Sequence, residues 1–189
     1  KDRIAYRSGA KPNDLICLSG DLGAAYMGLH LLEREKRACG GQPDPKPKFE
    51  GHEYILGRQL KPEARTDIIE RLAEAGIVPT SMIDITVGLA SETLHLCKSS
   101  GCGARIYLDR LPIARQTHDM AEELHADPVV AALNGGQDYE LLFTVPLSKQ
   151  QEIFALGVDV IGHVTAAGTG AMLVTPDGSE IALKAPGWK

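Results

Sequence analysis

Apolar residues fall along this chain in short continuous runs and in spaced stripes, separated by polar, glycine- and proline-bearing breaks. The two spacings sort most of it into strands and helices. Leu15-Ile16-Cys17-Leu18 is an unbroken apolar run of strand length. Gly20-Asp21-Leu22-Gly23 follows as a turn, and residues 24–36 then bring Ala24, Gly28, Leu31 and Leu32 onto one helical face. Between Gly40 and Pro47 three prolines and two glycines bar any continuing helix, so an exposed loop is expected. A short helix is predicted around residues 53–60, ending before Pro62. Another is predicted over 64–75, where Ile68, Ile69, Leu72 and Ala73 recur at helical intervals before Gly76. Residues 81–85 read as a buried strand. Residues 90–100 read as a helix with Ala90, Leu94 and Cys97 inward and Gly101 as its C-terminal stop.

Strand-like and helix-like stretches then alternate over 104–108, 116–125, 139–145, 149–156 and 158–164. The last segment, Met172-Leu173-Val174-Thr175 followed by Pro176-Asp177-Gly178 and residues 180–183, has the pattern of a hairpin closed by an Asp-Gly turn. No internal repeat or low-complexity tract interrupts the series. Mixed elements ending in a hairpin predict an α+β fold, a mixed β-sheet covered by helices rather than a purely parallel one.

Length and composition narrow the function. At 189 residues with 43% apolar content the chain suffices for one well-packed domain, residues 1–189, without a compositional break. A formal charge of −5, and a densest charged run (Glu33-Arg34-Glu35-Lys36-Arg37) that alternates in sign, speak against a nucleic-acid partner. The four cysteines, Cys17, Cys39, Cys97 and Cys102, have no C-x-x-C spacing, and the six histidines no metal-ligand spacing. No serine sits in G-x-S-x-G, so zinc, disulfide-framework and hydrolase readings are poor. No apolar run approaches the ~20 residues of a membrane span and no signal peptide opens the chain, so a soluble, cytoplasmic setting without a membrane partner is expected. The chain begins on Lys1 rather than Met, which suggests a fragment of a longer protein.

Two segments concentrate residues that can carry chemistry. Ile83-Asp84-Ile85-Thr86 delivers an acid and a hydroxyl at the end of an apolar strand, just before Gly88 and a helix. Ligands of open α/β sheets gather outside such strand ends, and a carboxylate there can hold Mg²⁺. The plainer alternative is that Asp84 or Thr86 caps the following helix. Asn134-Gly135-Gly136 is a flexible turn feeding Asp138 and Glu140 into an apolar strand. Alternation sets Gln137, Tyr139 and Leu141 on one face and the two acids on the other. The glycine pair permits close backbone approach to a ligand and equally serves an ordinary turn. Gly20-Asp21-Leu22-Gly23 precedes a helix whose amides could hold an anion, but it lacks the P-loop lysine and the dinucleotide spacing, which favours a plain turn. Trp188, the single tryptophan, is either a packing anchor or a platform for a flat ligand.

Taken together, these segments resemble the C-terminal domain of thiamine-monophosphate kinase, of the superfamily that includes aminoimidazole ribonucleotide synthetase and selenophosphate synthetase. The likeness starts at Arg7-Ser8-Gly9-Ala10-Lys11-Pro12-Asn13-Asp14, similar to the family's R-S-G-A-K-P-G-D. It runs through Arg58-Gln59-Leu60-Lys61-Pro62 and both motif segments to Gly187-Trp188. The resemblance implies ATP-dependent phosphorylation of thiamine monophosphate to thiamine diphosphate, with ATP as co-substrate and Mg²⁺ as cofactor. It implies that Arg7 and Thr86 contact ATP, that Asp84 binds Mg²⁺, and that Gln137 and Trp188 contact the substrate, Trp188 by stacking on its thiamine part. It also implies a separate N-terminal domain, absent here, that carries most metal-binding aspartates and forms a homodimer.

Two positions depart from the family pattern. Val87 stands in D-x-S-D-G-L where a second metal-binding carboxylate belongs, and valine has no side-chain oxygen to offer. Gln137 stands in G-G-E-D-Y-E-L where a glutamate belongs, which keeps an acceptor but loses the charge suited to a cationic thiazolium. The isolated chain is therefore expected to be catalytically inactive. The competing readings are a degenerate homologue that binds nucleotide or thiamine phosphate without transfer, and another enzyme of the superfamily with a different acceptor pocket.

Overall fold

The computed structural model describes residues 4–40 and 46–185. The middle of the predicted 40–47 loop, and Gly187 and Trp188, lie outside the described residues. Seven strands, β1 (Leu15–Leu18), β2 (Ser81–Asp84), β3 (Gly103–Tyr107), β4 (Leu141–Val145), β5 (Asp159–Thr165), β6 (Ala171–Val174) and β7 (Glu180–Ala182), form one sheet. Its order is β2-β4-β1-β5-β3-β6-β7. Among the described residues only β3 and β6 run parallel, and every other neighbouring pair is antiparallel. The helices are α1 (Ala24–Cys39), α2 (Glu53–Leu60), α3 (Thr66–Glu74), α4 (Leu89–Ser100), α5 (Arg115–Leu124), α6 (Pro128–Asn134) and α7 (Gln150–Ala155). The predicted α+β class, a mixed sheet covered by helices, is what the chain adopts.

The unbroken apolar run of β1 has a simple cause: both of its faces are covered. Ile16 and Leu18 join a core with Ile83, Leu142, Ile106 and Leu173 and with Leu89 and Leu96 of α4. Leu15 and Cys17 point the opposite way, into a second core with Phe143 and Val145, closed by Ile68 and Leu72 of α3 and Ile153 of α7. A third cluster, Met27, Leu31, Ile55, Met120 and Ala131, binds α1, α2, α5 and α6 into an outer layer. Gly28 admits the close crossing of α1 and α2: a Cβ there would stand 2.5 Å from the Ile55 carbonyl oxygen.

The terminal hairpin forms as predicted, Val174 opposite Glu180, with the Thr175 amide donating to the Ser179 carbonyl at 2.9 Å around the Asp177-Gly178 turn. Two elements differ from expectation. The strand predicted from Tyr139 begins only at Leu141, because Gln137 and Tyr139 take positive φ, 62° and 54°, outside the β region. Helix α6 was not predicted; its start is set by Asp127, whose carboxylate accepts from the Val129 amide at 2.8 Å, with Pro128 in the first turn. Asn13 is also left-handed, φ 72°, which explains how asparagine serves where the resembled segment carries glycine.

Candidate functional site

The two motif segments meet backbone to backbone. Beyond the last paired residues of β2 and β4, Asp84 opposite Leu141, the ladder continues through the loops. The Ile85 amide donates to the Glu140 carbonyl at 2.8 Å, Tyr139 to the Ile85 carbonyl at 2.9 Å, and Gln137 to the Thr86 carbonyl at 2.9 Å. Two glycines make this seam close. A Cβ on Gly136 would lie 2.6 Å from the Thr86 carbonyl oxygen, and one on Gly88 would lie 2.6 Å from the Leu133 carbonyl oxygen, at φ of 71° and 130°. The left-handed backbone at Gln137 and Tyr139 turns both side chains outward while Asp138 and Glu140 point in. The in-out alternation read from the sequence therefore holds on a backbone that is not a strand. Such non-glycine residues cost energy and persist where surrounding structure fixes them, often at functional sites.

Asp84 ends β2 with its side chain exposed, and Val87 projects from the turn half exposed, at 50%. Neither Asp84 nor Thr86 caps α4, contrary to the plainer expectation. The cap position is Gly88, and the turn is held instead by Glu92. This carboxylate, 3% exposed, accepts through Oε1 from the Val87 amide at 3.0 Å, the Thr86 amide at 3.3 Å and the Thr86 hydroxyl at 3.2 Å. Gln137 is exposed on the opposite lip, where its Oε1 accepts from Gln59 Nε2 at 3.2 Å. Arg7 is exposed in a segment stapled beside β2. The Tyr6 carbonyl accepts from the Met82 amide at 2.8 Å, and Ser100 Oγ, at the end of α4, accepts from the Gly9 and Ala10 amides at 3.2 Å. The structure thus brings Asp84, Thr86, Val87 and Gln137 to one seam with the Arg7 segment along its strand. Trp188 lies outside the described residues.

Beneath the seam runs a charged network that sequence reasoning did not resolve. Glu140, 1% exposed, accepts from Arg58 Nη1 at 2.7 Å, from Arg65 and from the Ser19 hydroxyl. Burial works against the Arg58 charge, but Glu140, helped by Asp21 and Tyr54, holds the guanidinium above its ordinary value. Asp138 accepts from the Gly23 amide at 2.9 Å and the Ala25 amide at 3.3 Å, so the exposed-amide site imagined at the start of α1 is filled by the chain's own carboxylate. Burial pushes the Asp138 carboxyl up to about 6, against the pull of those amides. Tyr54 donates to Asp21 at 2.6 Å. A cleft of about 320 Å³ opens over this network, lined by Tyr54, Arg58, Lys61, Glu63 and Asp138. A second pocket of about 390 Å³, between α3 and β2, is lined by apolar residues such as Ile69, Leu72 and Met82 and offers no side chain for chemistry.

Among the described residues no three His, Cys, Asp or Glu side chains gather as a metal site. Asp84 brings one carboxylate and Val87 none, while Glu92 is committed to the turn. Mg²⁺ requires an octahedron of oxygens, so the residues present do not fit a magnesium ion held by this chain alone.

Residues 11–175 match the family described as AIR synthase related protein, C-terminal domain. The chain belongs to that family. Both motif segments and their seam lie inside the match. The chain is 36% identical to the thiamine-monophosphate kinase of Escherichia coli strain K12, across 99% of this chain and 54% of that one. It is 31% identical to the thiamine-monophosphate kinase of Aquifex aeolicus, across 100% of this chain and 55% of the other. The solved structure of AaThiL complexed with AMPPCP and TMP superposes with a TM-score of 0.75 at 30% identity, covering 96% of this chain and 53% of that one. This AIR synthase related domain spans about half the length of the curated relatives it matches. Among its described residues no helix is long and apolar enough to cross a membrane.

Proposed function

We propose that this domain is the C-terminal half of an ATP-dependent kinase that converts thiamine monophosphate to thiamine diphosphate. The observation that carries the reading is the seam. The two segments through which the chain resembles thiamine-monophosphate kinases are bonded to each other by their backbones, with Thr86 and Gln137 on facing lips. A relative of 30% identity complexed with AMPPCP and TMP supports the same substrate pair.

In this reading Arg7 and the Thr86 hydroxyl contact ATP, and Gln137 with Trp188 contacts thiamine monophosphate. Asp84 offers a single carboxylate toward Mg²⁺, whose other ligands would come from substrate phosphates and from an N-terminal domain outside this chain. Phosphoryl transfer is promoted chiefly by positioning and charge neutralisation, so half of the ligand set gives little catalysis on its own. That N-terminal domain would also form the homodimer.

The exposed Val87 favours a second reading, a homologue that binds nucleotide or thiamine phosphate without transfer, since this position offers no side-chain oxygen at the seam. The test is thiamine diphosphate formation by the full-length parent with ATP and Mg²⁺, beside Val87→Asp, Gln137→Glu and the isolated chain. Activity in the parent and none in the isolated chain is expected. An inactive parent rescued by Val87→Asp would establish the binding-only reading, and product from the isolated chain would overturn the division of ligands.

A further inference from the structure

Glu92 takes no part in the proposed contacts to ATP, thiamine monophosphate or Mg²⁺, yet it is among the most committed side chains at the seam. It is buried to 3% exposure in the first turn of α4, where a negative charge is favoured by the helix dipole. A single oxygen gathers the two amides and the hydroxyl of the Thr86-Val87 turn at 3.0–3.3 Å. Buried carboxylates are costly unless their hydrogen bonds are made, so this one fixes the turn as firmly as the turn satisfies it.

We infer that Glu92 is the positioning residue for the nucleotide contact at Thr86, setting both where that hydroxyl sits and which way its proton points. The inference rests on the proposed role of Thr86. Because the hydroxyl proton is given to Glu92, the lone pairs of Oγ1 are what remains for a ligand. Thr86 therefore accepts from a donor group, such as a ribose hydroxyl or the adenine amine, rather than donating to a phosphate oxygen. An acceptor behind the hydroxyl fixes it in that role, and Glu92 is that acceptor.

Reach and charge can be separated by substitution. Glu92→Gln keeps the length and an acceptor oxygen but loses the charge, whereas Glu92→Asp keeps the charge and shortens the side chain by one methylene. In the full-length protein, Glu92→Asp is expected to raise KM for ATP by about tenfold, the scale of one charge-assisted hydrogen bond. Glu92→Gln should stay within about threefold of the unmodified protein, and KM for thiamine monophosphate should be unchanged in both. Thr86→Val should raise KM for ATP by about the same factor as Glu92→Asp, and the double variant should be no worse than Thr86→Val alone. Equal ATP affinity in Glu92→Asp and the unmodified protein, or additive effects in the double variant, would overturn the inference. If Thr86→Val leaves KM for ATP untouched while Glu92→Asp raises it, the failure lies instead in the assignment of Thr86 to the nucleotide. Hydrogen exchange at the Thr86 and Val87 amides gives a readout without turnover: faster exchange in Glu92→Asp than in Glu92→Gln is expected, and the reverse order would overturn the inference.

Discussion

At position 138 burial and hydrogen bonding pull one carboxylate in opposite directions. Two amides of the α1 start favour the ionised form, yet loss of water dominates and the carboxyl titrates at about 6 rather than its ordinary 3.8. A pKa raised on folding means that the protonated acid is the form the fold prefers. Its contribution is fully present below about pH 3.8 and is lost as pH rises through about 6. The displacement corresponds to about 3 kcal/mol. Urea unfolding of the unmodified protein and Asp138→Asn between pH 4 and 7 should show the former losing up to about that much relative to the latter as pH rises. Parallel pH profiles would remove Asp138 as the titrating group. The sequence placed Asp138 and Glu140 together, away from Gln137, and that direction is correct. It could not supply their partners, because Arg58 and Arg65 come from 82 and 75 residues away and only the folded sheet brings them in. Glu92 was hidden for a different reason: an acid four residues into a helix reads as surface, and only the tight turn around Gly88 directs it inward.

Between elements, the site depends on how closely the β2–α4 turn and the loop before β4 can approach. Gly88 and Gly136 each face a backbone carbonyl at 2.6 Å from where a Cβ would be, with positive φ as well. A methyl group at either position must push the loops apart and adopt a disfavoured conformation, so both costs apply. Gly168, at φ 82° with open space around it, bears only the conformational one. Gly168→Ala should therefore cost about 1 kcal/mol, and Gly88→Ala or Gly136→Ala about 3 kcal/mol or more. Chemical denaturation of the three variants checks the order, and equal losses would mean that the seam yields easily. Periodicity found most elements because α1, α3, α4 and the cores of β1 and β4 have apolar stripes matched to their burial. It missed α6, a short helix whose Pro128-Val129-Val130-Ala131-Ala132 run carries no distinct polar face. It began β4 two residues early because an alternating pattern is produced equally by a strand and by left-handed residues at 137 and 139.

Across the whole molecule, protection from exchange should be uneven. Strand β1 lies between β4 and β5 and packs both faces into cores, whereas β7 pairs only with β6 and is exposed along its length. Amides of β1 and β4 should thus open only with the whole fold, and those of β7 by local fraying. The seam could follow either, since it is built of loops, but its amides at Ile85, Gln137 and Tyr139 extend the β2–β4 ladder and its carboxylates are anchored to α1, α2 and Arg65. Those bonds tie it to the protected half. In native-state hydrogen exchange the Ile85 and Tyr139 amides should exchange within about tenfold of β4, and at least about a thousandfold more slowly than β7. On the proposed function, a site holding two phosphorylated ligands in line would benefit from that rigidity, because transfer of this kind gains most of its rate from geometry fixed before the reactants arrive. Seam amides that exchange as fast as the hairpin would show instead that the lips are ordered only on binding, and that part of the nucleotide's binding energy goes into assembling them.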